Sequence, residues 1–148
     1  MDRGVLGMLR SMVLSNHERV LAQSGHFFVT HEWEAVFVID RRTGARVGLG
    51  DHYGDPTCAV IAAEEEWFAA GGEGITILHR GRLHAVGRAE RWFVAAMREE
   101  PPGSLRVLLD PWGDTPGVVQ VDPATGAARW LSTEPDLRDQ PWSADVPF

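Results

Sequence analysis

From about residue 20 onward, short apolar runs rich in Val, Phe, Ile and Trp alternate with clusters of Gly, Pro and Asp. Runs of four to eight such residues between turn signals read as β-strands. The pattern predicts strands at 26–31, 35–40, 46–49, 59–62, 67–70, 75–79, 83–86, 92–97, 105–110, 118–122 and 128–131. Asp40-Arg41-Arg42-Thr43-Gly44 and Asp122-Pro123-Ala124-Thr125-Gly126 read as hairpin turns, with glycine supplying the positive φ that such turns need. Pro101-Pro102-Gly103 and Thr115-Pro116-Gly117 are further breaks.

Three segments read differently. Val5, Leu6, Leu9, Met12 and Val13 mark one face of a short helix over 4–14. Ser15 and Glu18 have the spacing of a capping box, which predicts a second helical turn ended by Gly25. Residues 88–100 fit a helix with Trp92, Phe93, Ala96 and Met97 on one face, or a strand in which Phe93, Ala95 and Met97 alternate. The strand is preferred because it fits the repeat described next. The tail from 132 to 148, with Pro135, Pro141 and Pro147, reads as an extended strap pinned by Trp142 and Phe148. The expectation is a single domain over 1–148: a helical segment at 1–19, β-repeats over 20–131, then the strap.

The strands recur. Residues 28–39 and 68–78 share an apolar strand, a small turn with an acid and a second apolar strand, so that Val36 aligns with Ile75. A third copy aligns Val118 with Ile75. A period of about 40 residues with about four strands per period is the spacing of β-propeller blades. Asp122, Thr125, Gly126 and Trp130 also follow the Asp-x-x-Thr-Gly-Lys-x-x-Trp repeat, with Ala127 in place of Lys. Asp40, Thr43 and Gly44 match its first half, with Gly48 in place of Trp. In these residues the chain resembles the quinoprotein-like β-propellers, loosely from Val20 to Leu131. The resemblance implies a mainly β fold, an antiparallel meander of blade-like repeats, with Trp130 packed between neighbouring blades. It implies no cofactor, since nothing here matches the residues that hold the quinone. The alternative is an α+β single antiparallel sheet with helices at 4–14 and 88–100. Propellers close with about four to eight blades, so three units leave sheet edges for a second copy, a partner or the chain's own ends to cover.

Charge narrows the partners. The chain of 148 residues carries a formal net charge of −7. Such an excess repels phosphate and favours a basic protein over nucleic acid. All 14 basic residues are arginines, the bias of a GC-rich bacterial genome, and without lysine no Schiff base can form. A single cysteine, Cys58, forms no internal disulfide, which fits a reducing compartment, and its setting before Ala59-Val60-Ile61-Ala62 reads as buried and structural. No signal peptide and no apolar run near the about 20 residues of a membrane span is evident. A cytoplasmic chain that does not bind membranes is expected.

Candidate chemistry is sparse. Asp51-His52-Tyr53-Gly54-Asp55 is a polar loop with donors for a metal or for acid–base work. It also reads as a turn whose acids bond the local backbone. His31, His79 and His84 lie in or beside strands and serve a metal only if the sheet brings them together. Glu64-Glu65-Glu66 with Trp67, and Glu32-Trp33-Glu34 one repeat earlier, read as two acid-and-tryptophan turns on one rim, with Trp112 on the third. This is the pattern of a patch for a basic partner. No nucleophile elbow, phosphate loop or zinc-protease motif occurs. The expectation is a non-catalytic protein-binding module, an acidic immunity-type inhibitor of a basic toxin or nuclease, binding through Glu32, Trp33, Glu34, Asp51, His52, Tyr53, Asp55, Glu64, Glu65, Glu66, Trp67 and Trp112. The alternatives are a partial-propeller scaffold that associates as a homodimer, and a small metal-dependent enzyme using the 51–55 loop.

Overall fold

The computed structural model describes residues 17–52 and 54–148. Within them the chain is all β, in three four-stranded antiparallel sheets. The first sheet holds β1 (Glu18–Gln23), β2 (Phe27–Glu32), β3 (Ala35–Asp40) and β4 (Arg46–Asp51). The second holds β5 (Cys58–Ile61), β6 (Trp67–Gly72), β7 (Gly74–His79) and β8 (Arg82–Val86). The third holds β9 (Val94–Glu100), β10 (Ser104–Leu109), β11 (Gly117–Val121) and β12 (Ala128–Ser132). In each sheet neighbours in sequence are neighbours in space, so each is a simple meander.

The expected repeat corresponds to the central hairpins β2–β3, β6–β7 and β10–β11. Val36, Ile75 and Val118 each take the second position of the third strand, opposite His31, Gly71 and Leu108. One expectation is corrected and one alternative falls. The preferred strand reading of 88–100 stands as Val94–Glu100, with 88–93 the linker before it, so the alternative with a helix there does not hold. Glu18 does not close a helical turn but begins β1, where its buried carboxylate pairs with the half-exposed Arg46. The predicted helix at 4–14 lies outside the described residues.

Alternation along the strands builds the core. Val29, Val36, Val38 and Leu49 of the first sheet meet Phe68, Ala70 and Leu78 of the second. The opposite face of the second sheet, with Trp67, Ala69, Ile75 and Ile77, meets Leu105, Val107, Leu109, Val119 and Val121 of the third. The second sheet is therefore covered on both faces, and every residue of β6 is buried. Cys58 packs at the edge of this second core, where burial raises its thiol pKa and leaves it unreactive. The first strands converge, β1 beside β5 and β5 beside β9, so the sheets fan out from that side.

The two Asp-x-x-Thr-Gly segments join the third and fourth strands of the first and third sheets and are built alike. The Asp40 and Asp122 carbonyls accept from the Gly44 and Gly126 amides at 2.8 and 2.7 Å. Their carboxylates accept from Arg42 and Ala124, two residues on, and both glycines have φ of 76°. The second sheet uses a two-residue turn instead, with Arg80 at φ 47° and Gly81 at φ 81°, the type I′ form of a tight hairpin.

Candidate binding face

The turns fall at two opposite ends of the fan. One end carries the β2–β3, β6–β7 and β10–β11 turns and the linkers 52–57 and 87–93. These segments are tied to one another: the His52 amide donates to the Glu34 carbonyl at 2.9 Å, Gly74 to Trp92 at 2.6 Å and Asp110 to Phe93 at 2.7 Å. Thr57 Oγ1 donates across the sheets to the Val94 carbonyl at 2.7 Å. The result is a groove of about 1050 Å3 lined by Glu34, Glu73, Arg88, Glu90, Arg91, Phe93 and Asp114 among others. Phe93 is 52% exposed. A smaller hollow of about 390 Å3 continues past Phe93 and Glu73 to Asp55 and Asp110.

The predicted residues divide between the ends. Glu32, Trp33 and Glu34 lie at the groove end, joined to the 51–55 loop through Glu34 and His52 and through the pairing of Ala35 with Asp51. Trp33 is exposed, with φ 53°. Asp51 and Asp55 are exposed there too. Tyr53 lies outside the described residues. Trp112 is in the β10–β11 turn at the same end, but its indole N–H donates to the Gln140 carbonyl at 3.0 Å and its ring meets Trp142, so the strap holds it. Glu64, Glu65 and Glu66 are at the opposite end, in the β5–β6 turn; the expected single rim does not form. There Glu65 accepts from the Ser24 hydroxyl and the His26 amide, and its pKa is lowered mainly by Ser24 and then His26. Glu66 meets Arg80 at 3.3 Å.

Two predicted residues are not at the surface. Trp67 is 4% exposed because its phase on β6 turns it toward the third sheet, so it is core rather than a partner anchor. His52 is 2% exposed, wedged between the first and second sheets, with Nε2 at 3.2 Å from Thr76 Oγ1. Among the described residues its Nδ1 has no partner of good geometry. Burial, and then the charge of Arg88, lower its pKa, so it is a neutral core group. The strand histidines do not meet as a metal site: His84 pairs with Ile77 and His79 with Arg82. Among the described residues no three His, Cys, Asp or Glu side chains are placed to hold a metal ion.

The sequence reading missed Glu73 and Phe93. Glu73 was findable, since the alignment of Val36 with Ile75 puts it in the turn that holds Trp33 in the first repeat. Phe93 falls in the expected strand at 92–97, where alternation alone does not give its exposure. Among the described residues no helix is long and apolar enough to cross a membrane. No protein-family model matches the chain, and no curated protein matches it as a relative.

Proposed function

We propose that the chain is a non-catalytic protein-binding module whose groove end receives a basic partner protein, in the manner of an acidic immunity-type inhibitor of a toxin or nuclease. The observation that carries this reading is the groove itself. Four of its carboxylates, Glu34, Glu73, Glu90 and Asp114, face two arginines around an exposed Phe93. An apolar anchor within a charged rim is the anatomy of a protein interface. An acidic rim steers a basic partner and rejects an acidic one. The meander topology, the converging first strands and the shared Asp-x-x-Thr-Gly turns favour the finer reading of the sheets as blades of a partial propeller.

The scaffold reading has less support. Were the end sheets waiting for another copy, their outward faces would be bare. Yet Thr30 and Ile39 on the first sheet, and Leu108 and Val118 on the third, are 0, 1, 2 and 3% exposed.

The test compares the two ends. The tagged chain is purified gently from its own host beside a groove variant (Glu34→Gln, Glu73→Gln, Asp114→Asn, Phe93→Ala) and an opposite-end variant (Glu64→Gln, Glu66→Gln). A basic protein at fixed stoichiometry is expected with the wild type and the opposite-end variant, and a loss of at least about tenfold in affinity with the groove variant. A partner held equally by all three would remove the groove from the interface.

A further inference from the structure

Beside the groove, on the other side of the β10–β11 turn, lies a second cleft of about 490 Å3. It is lined by Asp114, Thr115, Trp130, Glu134, Asp136 and Arg138 among others. Its aromatic wall is held from two sides. Trp92 meets the Trp130 ring edge-on, with centroids 5.6 Å apart and planes at 80°. Gly117 lies so close that a Cβ there would fall 2.5 Å from Trp130 Cζ3. Trp130 is nevertheless 45% exposed. A large aromatic surface fixed by its neighbours and open on one side loses little side-chain entropy when a ligand covers it.

The charges in the cleft are unequal. Asp136 is already engaged, accepting from Arg138 Nε at 2.9 Å and from its terminal nitrogen at 2.6 Å. Among the described residues Glu134 accepts the Asp136 amide alone, at 3.0 Å. Asp114 has no salt bridge among the described residues. Three carboxylates thus line the cleft with one internal guanidinium, which Asp136 binds directly and Asp114 influences through its charge; among the described residues neither Asp114 nor Glu134 forms a salt bridge.

We propose that this cleft receives an arginine side chain of the partner protein, its guanidinium plane against the Trp130 indole and its N–H groups donating to Asp114 and Glu134. The proposal rests on the reading of the chain as a protein-binding module. Arginine suits the site better than lysine, because a planar guanidinium covers an indole face and at the same time offers a fork of donors to carboxylates. Asp114 and Thr115 also line the main groove or its rim. A segment with its arginine beside Trp130 therefore crosses this turn and reaches Phe93, joining both hollows in one footprint.

The probe is the acetylated, amidated tripeptide Gly-Arg-Gly, titrated into the 15N-labelled chain while the indole N–H of Trp130 is followed, its signal assigned with Trp130→Phe. The comparator carries citrulline, which keeps the shape and loses the charge. A saturable shift with arginine and none with citrulline is expected. Asp114→Asn with Glu134→Gln, both at exposed positions, weakens binding at least about fivefold. No saturable shift, or equal binding by the double variant, overturns the proposal. Capture of a basic protein through the groove with the cleft silent to arginine overturns the cleft alone. Arginine binding without any captured partner would overturn the wider reading and leave the cleft standing.

Discussion

His52 illustrates how a polar residue in a promising loop becomes part of the core. It follows the last residue of β4, where the chain turns inward between two sheets, and Thr76 on β7 gives its Nε2 a partner. Its pKa in the fold is below the ordinary 6.5 of an unfolded histidine. Above that value both states are neutral and the stability is fully present. As pH falls through 6.5 the unfolded chain takes up the proton first, and stability is lost until the folded value is reached. The melting temperature of the wild type should therefore fall more steeply between about pH 7 and about pH 5 than that of His52→Asn. Parallel curves for the two proteins would mean that His52 titrates alike folded and unfolded. Residue chemistry was legible here, but exposure was not. Trp67 and Phe93 look equally suited to anchor a partner, yet strand phase buries the first while a linker displays the second.

At the scale of elements, the hairpins were the legible part. The expected strand at 35–40 has the bounds of β3, and most others shift by one or two residues. Their apolar positions are dense and their turns carry residues with a single geometric use. β1 was not legible. Its register slips between Val20 and Ala22, which destroys the two-residue alternation that marks a strand. The capping-box spacing of Ser15 and Glu18 then pointed to a helix, whereas Glu18 is spent on another element. Its carboxylate accepts from Arg46 of β4 at 2.6 and 2.8 Å and from the Thr30 hydroxyl of β2 at 2.8 Å. This joins three strands of the first sheet, with the Arg46 guanidinium 5.5 Å from the Phe37 ring. Arg46→Leu leaves the carboxylate, 1% exposed, without this cation. Breaking a wholly buried pair costs about 3–5 kcal/mol. Because the Arg46 side chain is 40% exposed and water screens it, a loss of about 2 kcal/mol in urea unfolding is expected. An unchanged midpoint would mean that the pair contributes no net stability.

At the scale of the whole molecule, a fan of three sheets has two end faces, and the chain treats the third sheet's with its own strap. The Leu137 amide donates to the Pro111 carbonyl at 2.8 Å, just past β10. Trp112 holds the Gln140 carbonyl, and Arg98 on β9 donates to the Phe148 carbonyl at 2.6 Å with its guanidinium 5.3 Å from the Phe148 ring. Arg98 pairs with Arg106 and so lies on the face of the third sheet turned away from the second, the face that also holds Leu108. The sequence announced the strap through its prolines and aromatic residues; it could not announce that Glu134 and Asp136 would wall a cleft with Trp130, because that depends on the path of the chain after β12. Arg98→Ala with Trp112→Phe removes two anchors without touching the cores between the sheets. The strap should then open more often, and trypsin should cut after Arg138 about tenfold faster at native temperature, while the global melting transition moves only a few degrees. The same variant should bind the arginine tripeptide more weakly, because Glu134 is no longer held beside Trp130. Fast cleavage with unchanged tripeptide binding would show that the Trp130 wall and Asp114 suffice without the strap.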